Sequence, residues 1–146
     1  MKKYKQIIIL LLAVLYIQIV LIFALKTVIV NLNNIRGTFF NESRLYKHAL
    51  RHYERALILD SKNLYALIWA GYIYEDIQNP AKAEQYYKRV IEYHPDRNEG
   101  YFFMGVLKLN QDNAQAYQLF LKAAERDGTM QEQALKFVRL MDSRKK

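Results

Sequence analysis

Cysteine is missing from this 146-residue chain, and proline and glycine are scarce, at two and five residues. The first absence excludes disulfides, thiolate zinc sites and cysteine nucleophiles together, and leaves the redox compartment open. The second argues against long irregular segments. Catalytic signatures are missing too, since no G-x-S-x-G, P-loop or G-x-G-x-x-G pattern occurs. Charge is absent from one whole stretch, "IIILLLAVLYIQIVLIFAL", residues 7–25. What remains is a chain rich in apolar residues and tyrosine, long enough for one domain with a real core.

The uncharged stretch reads as a transmembrane anchor. Its 19 residues, at about 1.5 Å each, span roughly 29 Å, close to the hydrocarbon thickness of a bilayer. Fifteen are Leu, Ile, Val or Phe; together they favour insertion by about 6 kcal/mol, more than Gln18 costs. A cleaved signal peptide is the competing reading. The run is too long for one, and "IFALKTVIV" follows it with no A-x-A-like cleavage site. Lys2, Lys3 and Lys5 precede the run and Lys26 follows it, a bias that favours a cytoplasmic N-terminus and an extracytoplasmic C-terminal domain. The inverted topology, a cytoplasm-facing adaptor, stays open.

The net charge of +8 looks like a nucleic-acid signal until it is located. Four of the lysines flank the anchor, and from Arg36 onward 18 basic residues face 14 acidic ones. That is a mildly basic surface and not a phosphate-binding stripe, so no nucleic-acid partner is expected.

Beyond the anchor the chain repeats. Gly37, Gly71 and Gly105 stand 34 residues apart. Ala49, Tyr53 and Ala56 share the spacing of Ala83, Tyr87 and Val90, again 34 residues upstream of them. Ala116, Phe120 and Ala123 keep the internal spacing but arrive one residue early, a deletion in the turn around "NQDN". A fixed period of this length marks a stack of similar supersecondary units. Breaks are legible at "DSKN" (60–63), "QNP" (78–80), "HPDRN" (94–98) and "RDGT" (126–129).

Gly in a first helix and Ala-x3-aromatic in a second, at this period, resembles the tetratricopeptide repeat family. The fullest copy runs from Leu64 to Arg97, with Leu67, Ala70, Gly71 and Tyr74, then Ala83, Tyr87 and Val90, and the closing Pro95. The flanking copies are partial: Ser61 and Gly128 stand at the proline position, and the first opening helix reads "NLNNIRGTFFNE". That helix begins where the anchor ends and can simply prolong it. The expected fold is all-α: an anchor within residues 1–29, repeats at about 30–62, 63–97 and 98–128, and a capping helix with a basic tail at 129–146. Met130, Ala134, Phe137, Val138 and Met141 give the cap its apolar stripe, and Arg144 to Lys146 suit a helix C-terminus. Small residues at Gly71 and Ala83 let two helices approach, while Tyr74 and Tyr87 fill the gap toward the next repeat.

The resemblance also implies a function. Such domains bind partners in a groove lined by positions 2, 5, 9 and 12 of each first helix. Carried over, these are Tyr65, Ile68, Tyr72 and Glu75, then Glu99, Phe102, Val106 and Leu109. The lysines and asparagines with which some members hold a chain terminus are not at these positions. An apolar or amphipathic segment is therefore the expected ligand, unless the capping helix or a neighbouring subunit fills the groove. The architecture is similar to bacterial inner-membrane repeat proteins that serve translocons, cytochrome maturation or envelope machines. A scaffold or assembly subunit with membrane or envelope protein partners, no enzyme activity and no cofactor is the expectation.

Three smaller features complete the reading. His48 and His52 lie at i and i+4, a spacing that can chelate a metal, but no acidic residue completes an H-E-x-x-H pattern and Arg51 sits between them. A metal role is not expected there. Glu75-Asp76 falls at a helix end and is expected to be solvated. Asn41-Glu42-Ser43 is a glycosylation sequon, meaningful only in a eukaryotic secretory context.

Overall fold

The computed structural model describes residues 2–109 and 111–143, so the basic tail Arg144 to Lys146 lies outside the described residues. Its seven helices are α1 (Lys2–Glu42), α2 (Tyr46–Leu59), α3 (Leu64–Asp76), α4 (Pro80–Tyr93), α5 (Glu99–Lys108), α6 (Asn113–Ala124) and α7 (Gln131–Ser143). They form three stacked antiparallel hairpins, α1/α2, α3/α4 and α5/α6, with α7 closing the far end against α6.

The first helix is unbroken over 41 residues. The boundary expected at 29/30 therefore falls inside one element. Its Tyr4–Glu42 portion is long and apolar enough to cross a membrane, and its side chains are exposed from Tyr4 to Ile29. At Val30 the same helix turns its face into the core. No loop separates the apolar span from the repeat domain.

Helix starts follow from local chemistry. The Asn63 carboxamide accepts from the Ala66 amide at 3.0 Å, and Asn79 accepts from Lys82 at 3.2 Å ahead of Pro80. Asp112 accepts from Gln115 at 2.9 Å. Each satisfies one amide that the first helical turn leaves without a partner.

The repeated glycines have one job. A Cβ on Gly37 would stand 2.5 Å from the Tyr53 ring, one on Gly71 2.5 Å from Tyr87, and one on Gly105 2.9 Å from Phe120. Each ring is fully buried, and each belongs to the second helix of the same hairpin. Ala49, Ala83 and Ala116 lie four residues before these rings and are buried as well. The ring of Tyr87 also stacks on Phe103 of the next hairpin at 5.6 Å, and Tyr74 stacks on Tyr86 at 5.5 Å. Burying one such ring stabilises by about 1.5–3 kcal/mol, so the three rings are the main internal supports of the stack.

Glu75 is not a solvated helix-end acid. Its carboxylate accepts from the Tyr87 hydroxyl at 2.9 Å, tying α3 to α4, while the adjacent Asp76 accepts from the Tyr46 hydroxyl. Burial pushes the Glu75 carboxyl up, against the Tyr87 hydrogen bond that lowers it, with the Asp76 charge adding to the rise.

Alanine at Gly71 sets helix propensity against crowding. Propensity gains about 1 kcal/mol, whereas overpacking a rigid core costs about 1–3 kcal/mol. Gly71→Ala should lower the thermal transition, because Tyr87 is pinned by both Glu75 and Phe103. Gly105→Ala should lower it less, its contact being looser and Phe120 lacking a hydroxyl tie. Equal transitions for both variants and the parent would contradict this account of the packing.

Candidate partner-binding groove

The concave side of the stack holds a cavity of about 990 Å3, the upper end of the range for ligand pockets. Four elements build it. Asn31, Asn34, Ile35 and Thr38 come from α1; Asn63, Leu64, Tyr65, Ile68 and Trp69 from α3 and its cap; Arg97, Glu99 and Phe103 from α5 and the turn before it; and Thr129 and Met130 from the turn into α7. Ile35, Leu64, Ile68, Trp69, Phe103 and Met130 supply the apolar bulk.

Polar pairs strap α1 to α3 along the wall. The Thr38 and Tyr65 hydroxyls are 2.7 Å apart, and the Asn34 carboxamide nitrogen donates to Asn63 Oδ1 at 3.1 Å. Asn34 Oδ1 is buried with no hydrogen-bond partner among the described residues, so the wall keeps one unmatched acceptor. Behind Tyr65, burial pushes the Tyr53 phenol up to about 12, against the lowering contact with Thr38. Tyr65, Trp69 and Tyr72 form an aromatic row along α3, with centroids 5.9 and 5.6 Å apart.

A buried clamp closes the far end. Asn98 is fully buried; its nitrogen donates to the Arg126 carbonyl and its Oδ1 accepts from the Met130 amide. Glu99 accepts from Arg97 through two nitrogens, at 2.6 and 3.1 Å, and from the Thr129 amide and hydroxyl at 3.2 Å. Gly128 makes the turn possible, with φ +143° and a would-be Cβ 2.2 Å from Asn98 Oδ1. Burial pushes the Glu99 carboxyl up, but Arg97 and the amides of Glu99 and Thr129 outweigh it and hold the group below the usual carboxylate range.

The expected groove residues divide in two. Tyr65 and Ile68 line the cavity, and Tyr65 stays 41% exposed. Tyr72 instead faces a small polar hollow with Arg44, Tyr46 and Asp76, and Glu75 is the tie to Tyr87. Phe102 is in the core: its ring meets Phe120 at 5.8 Å and Phe137 at 5.9 Å. Val106 and Leu109 pack against that same core cluster. The capping helix, with Phe137 stacked on Phe120 at 4.6 Å, covers the third repeat where a further repeat would stand. Its stripe is seated as expected: Ala134 and Val138 are buried, with Met130, Phe137 and Met141 around them. The third hairpin thus contributes Phe103 to the wall instead of Phe102.

Reasoning from repeat positions missed the α1 residues, Trp69, Phe103 and Met130. Trp69 had a signal of its own as the single tryptophan of the chain, since tryptophan is enriched where partners anchor. His52 is occupied structurally, its Nδ1 3.1 Å from Asn33 Oδ1 and its ring stacked on Phe40 at 5.4 Å, while His48 is exposed. Burial lowers the His52 pKa, and Arg55, Arg36 and Arg51 add to that. Among the described residues no three His, Cys, Asp or Glu side chains converge as a metal site would require. Asn41 of the sequon is half-buried beside the polar hollow.

No family model matches the chain. A curated relative, the uncharacterized protein ycf37 of Guillardia theta, is 35% identical over 71 residues, covering 49% of this chain and 40% of that protein. The chain thus spans less than half of that relative's length in the match. Among solved structures, the translocator chaperone SycD of Yersinia enterocolitica type III secretion superposes with TM-score 0.71 at 13% identity, covering 80% of this chain and 94% of that one. The first TPR of Spaghetti (RPAP3), bound to an HSP90 peptide SRMEEVD, gives TM-score 0.67 at 15% identity, covering 78% and 90%. The fold is tetratricopeptide-like, an α-solenoid of helical hairpins.

The clamp carries a pH prediction. A carboxyl whose folded pKa is depressed adds stability above its ordinary value, about 4.3, and loses it as pH falls through the folded value. Exchange protection of the Thr129 and Met130 amides should hold at neutral pH and fall off only below the ordinary glutamate range. Glu99→Gln should reduce that protection at pH 7 by about 1.5–3 kcal/mol, the worth of hydrogen bonds to a charge, and flatten the acid dependence. Unchanged protection in Glu99→Gln would mean that the clamp does not hold the cap.

Proposed function

We propose that this chain is a single-pass membrane protein whose solenoid serves as a protein-interaction scaffold or assembly subunit of a membrane or envelope complex. The observation that carries the reading is the shared helix. The apolar span and the groove wall both belong to α1, with Asn31 about 9 Å along the axis from Leu25. A groove held so close to the bilayer suits a membrane-proximal segment of a partner. The structural neighbours support binding as the activity, one of them being solved with a bound peptide.

The partner chemistry follows from the lining. Ile35, Tyr65, Ile68, Trp69, Phe103 and Met130 offer an apolar strip, and Arg97 at the far end is already neutralised by Glu99. An amphipathic helix or an apolar extended segment fits this better than an acidic chain terminus, with side-chain burial as the source of affinity. The lysines ahead of the span place the N-terminus on the cytoplasmic side and the solenoid on the opposite one, in a bacterial inner membrane or its topological equivalent.

Trp69 is a built-in reporter, being the single tryptophan and part of the groove wall. In full-length protein in nanodiscs, an amphipathic helical peptide with one apolar face should shift its emission to the blue and saturate. An acidic peptide ending in a free carboxylate should leave it unchanged. Ile68→Asp should weaken the first response at least tenfold, the effect of removing about 1.4 kcal/mol. A response to the acidic peptide alone would overturn the assignment of ligand chemistry. Separately, a periplasm-active reporter fused at the C-terminus should be on and a cytoplasm-fluorescent one dark; the reverse pattern would invert the topology.

A further inference from the structure

The groove uses one side of α1 and the hairpin core another, yet a third stripe of the same helix is apolar, exposed and unused. Val28, Leu32, Ile35 and Phe39 are 52%, 48%, 65% and 63% exposed. Their spacings of four, three and four residues put them on one seam. At about 100° per residue, that seam lies roughly half a turn from Val30, Asn34 and Gly37, which face α2 and α3. The residues between are mostly polar: Asn31, Asn33, Asn34, Arg36 and Thr38. Only Ile35 is shared with the groove.

The same three-four count continues back into the apolar span through Leu25 and Leu21 and arrives at Gln18. That glutamine is the one strongly polar residue in residues 7–25 and is exposed on α1. In hydrocarbon, a carboxamide without partners is costly. It carries both donors and acceptors, so an identical carboxamide at the same depth satisfies it. Only a second copy, parallel and in register, puts Gln18 opposite Gln18 while also pairing Leu32, Ile35 and Phe39 with themselves. Two copies inserted in one membrane share the orientation that this requires. The solenoid does not obstruct the pairing, because it hangs on the opposite face.

We infer that α1 self-associates as a parallel, left-handed helix pair from Gln18 to Phe39, giving a dimer with its two grooves beside the shared seam. A strict seven-residue repeat sets the left-handed twist. This assignment does not depend on what the groove binds.

The chain has no cysteine, so single cysteines can be introduced without background. Full-length variants Leu21→Cys, Leu25→Cys, Val28→Cys and Leu32→Cys, in native membranes treated with a mild oxidant, should form disulfide-linked species of twice the chain mass. Phe23→Cys and Lys26→Cys, on the other side of the helix, should give at least fivefold less. Gln18→Leu should raise the dissociation constant of the pair in detergent about three- to thirtyfold, the range for one interhelical hydrogen bond in a membrane. Since these positions face away from the core, helical content should be unchanged in every variant. Cross-linking without the seam periodicity, none at all, or a product of other mass would overturn the pairing. A Gln18→Leu variant that dimerises as well as the parent would overturn the role of the carboxamide.

Discussion

The contact between Gly37 and the Tyr53 ring changes what the membrane-crossing helix is. With a larger residue there, α2 could not lie against α1, and the apolar helix would be an anchor with a solenoid tethered behind it. With glycine, the distal third of α1 becomes the first wall of the repeat stack and of the groove. Every later hairpin repeats that solution with Gly71 on Tyr87 and Gly105 on Phe120, so one steric rule, applied three times, spaces the whole array. Because a stack of this kind buries its apolar faces only between neighbours, the first hairpin needs α1 as much as α1 needs the bilayer.

The opposite end of the array faces the converse problem, an apolar surface with no next repeat. Helix α7 covers it, and the cover is held by polar groups as well as apolar ones. Asn98 and Glu99 are buried, but each is matched by donors and acceptors from the α6–α7 turn, which is the condition under which buried polar groups stabilise instead of costing. The result is that Phe102 is taken into the core and the groove ends at Met130. The groove is therefore short, bounded on one side by the membrane-exiting helix and on the other by the clamp.

Much of this was legible in the residues themselves. The 34-residue spacing of the glycines and the Ala-x3-aromatic pairs reports a steric requirement inside each hairpin, and local requirements survive in sequence. The caps at Asn63, Asn79 and Asp112 were legible for the same reason. The groove was only half legible. Tyr65 and Ile68 face the cavity as repeat position implies, but Phe102 does not, because its surroundings are decided by a helix thirty residues away. Glu99 read as a groove acid while its charge belongs to Arg97 and the turn at Thr129. Asn31, Asn34 and Thr38 were out of reach because they become groove residues only once α1 is known to run unbroken past the apolar span.

That continuity is the central claim, and a distance across the membrane boundary tests it most directly. Spin labels at Ile22→Cys and Glu42→Cys, both exposed sites on α1, should give one narrow distance near 30 Å in bilayers when diluted with unlabelled protein, as a straight helix requires. A broad or markedly shorter distribution would mean that α1 breaks after the apolar span, leaving the solenoid free of its anchor.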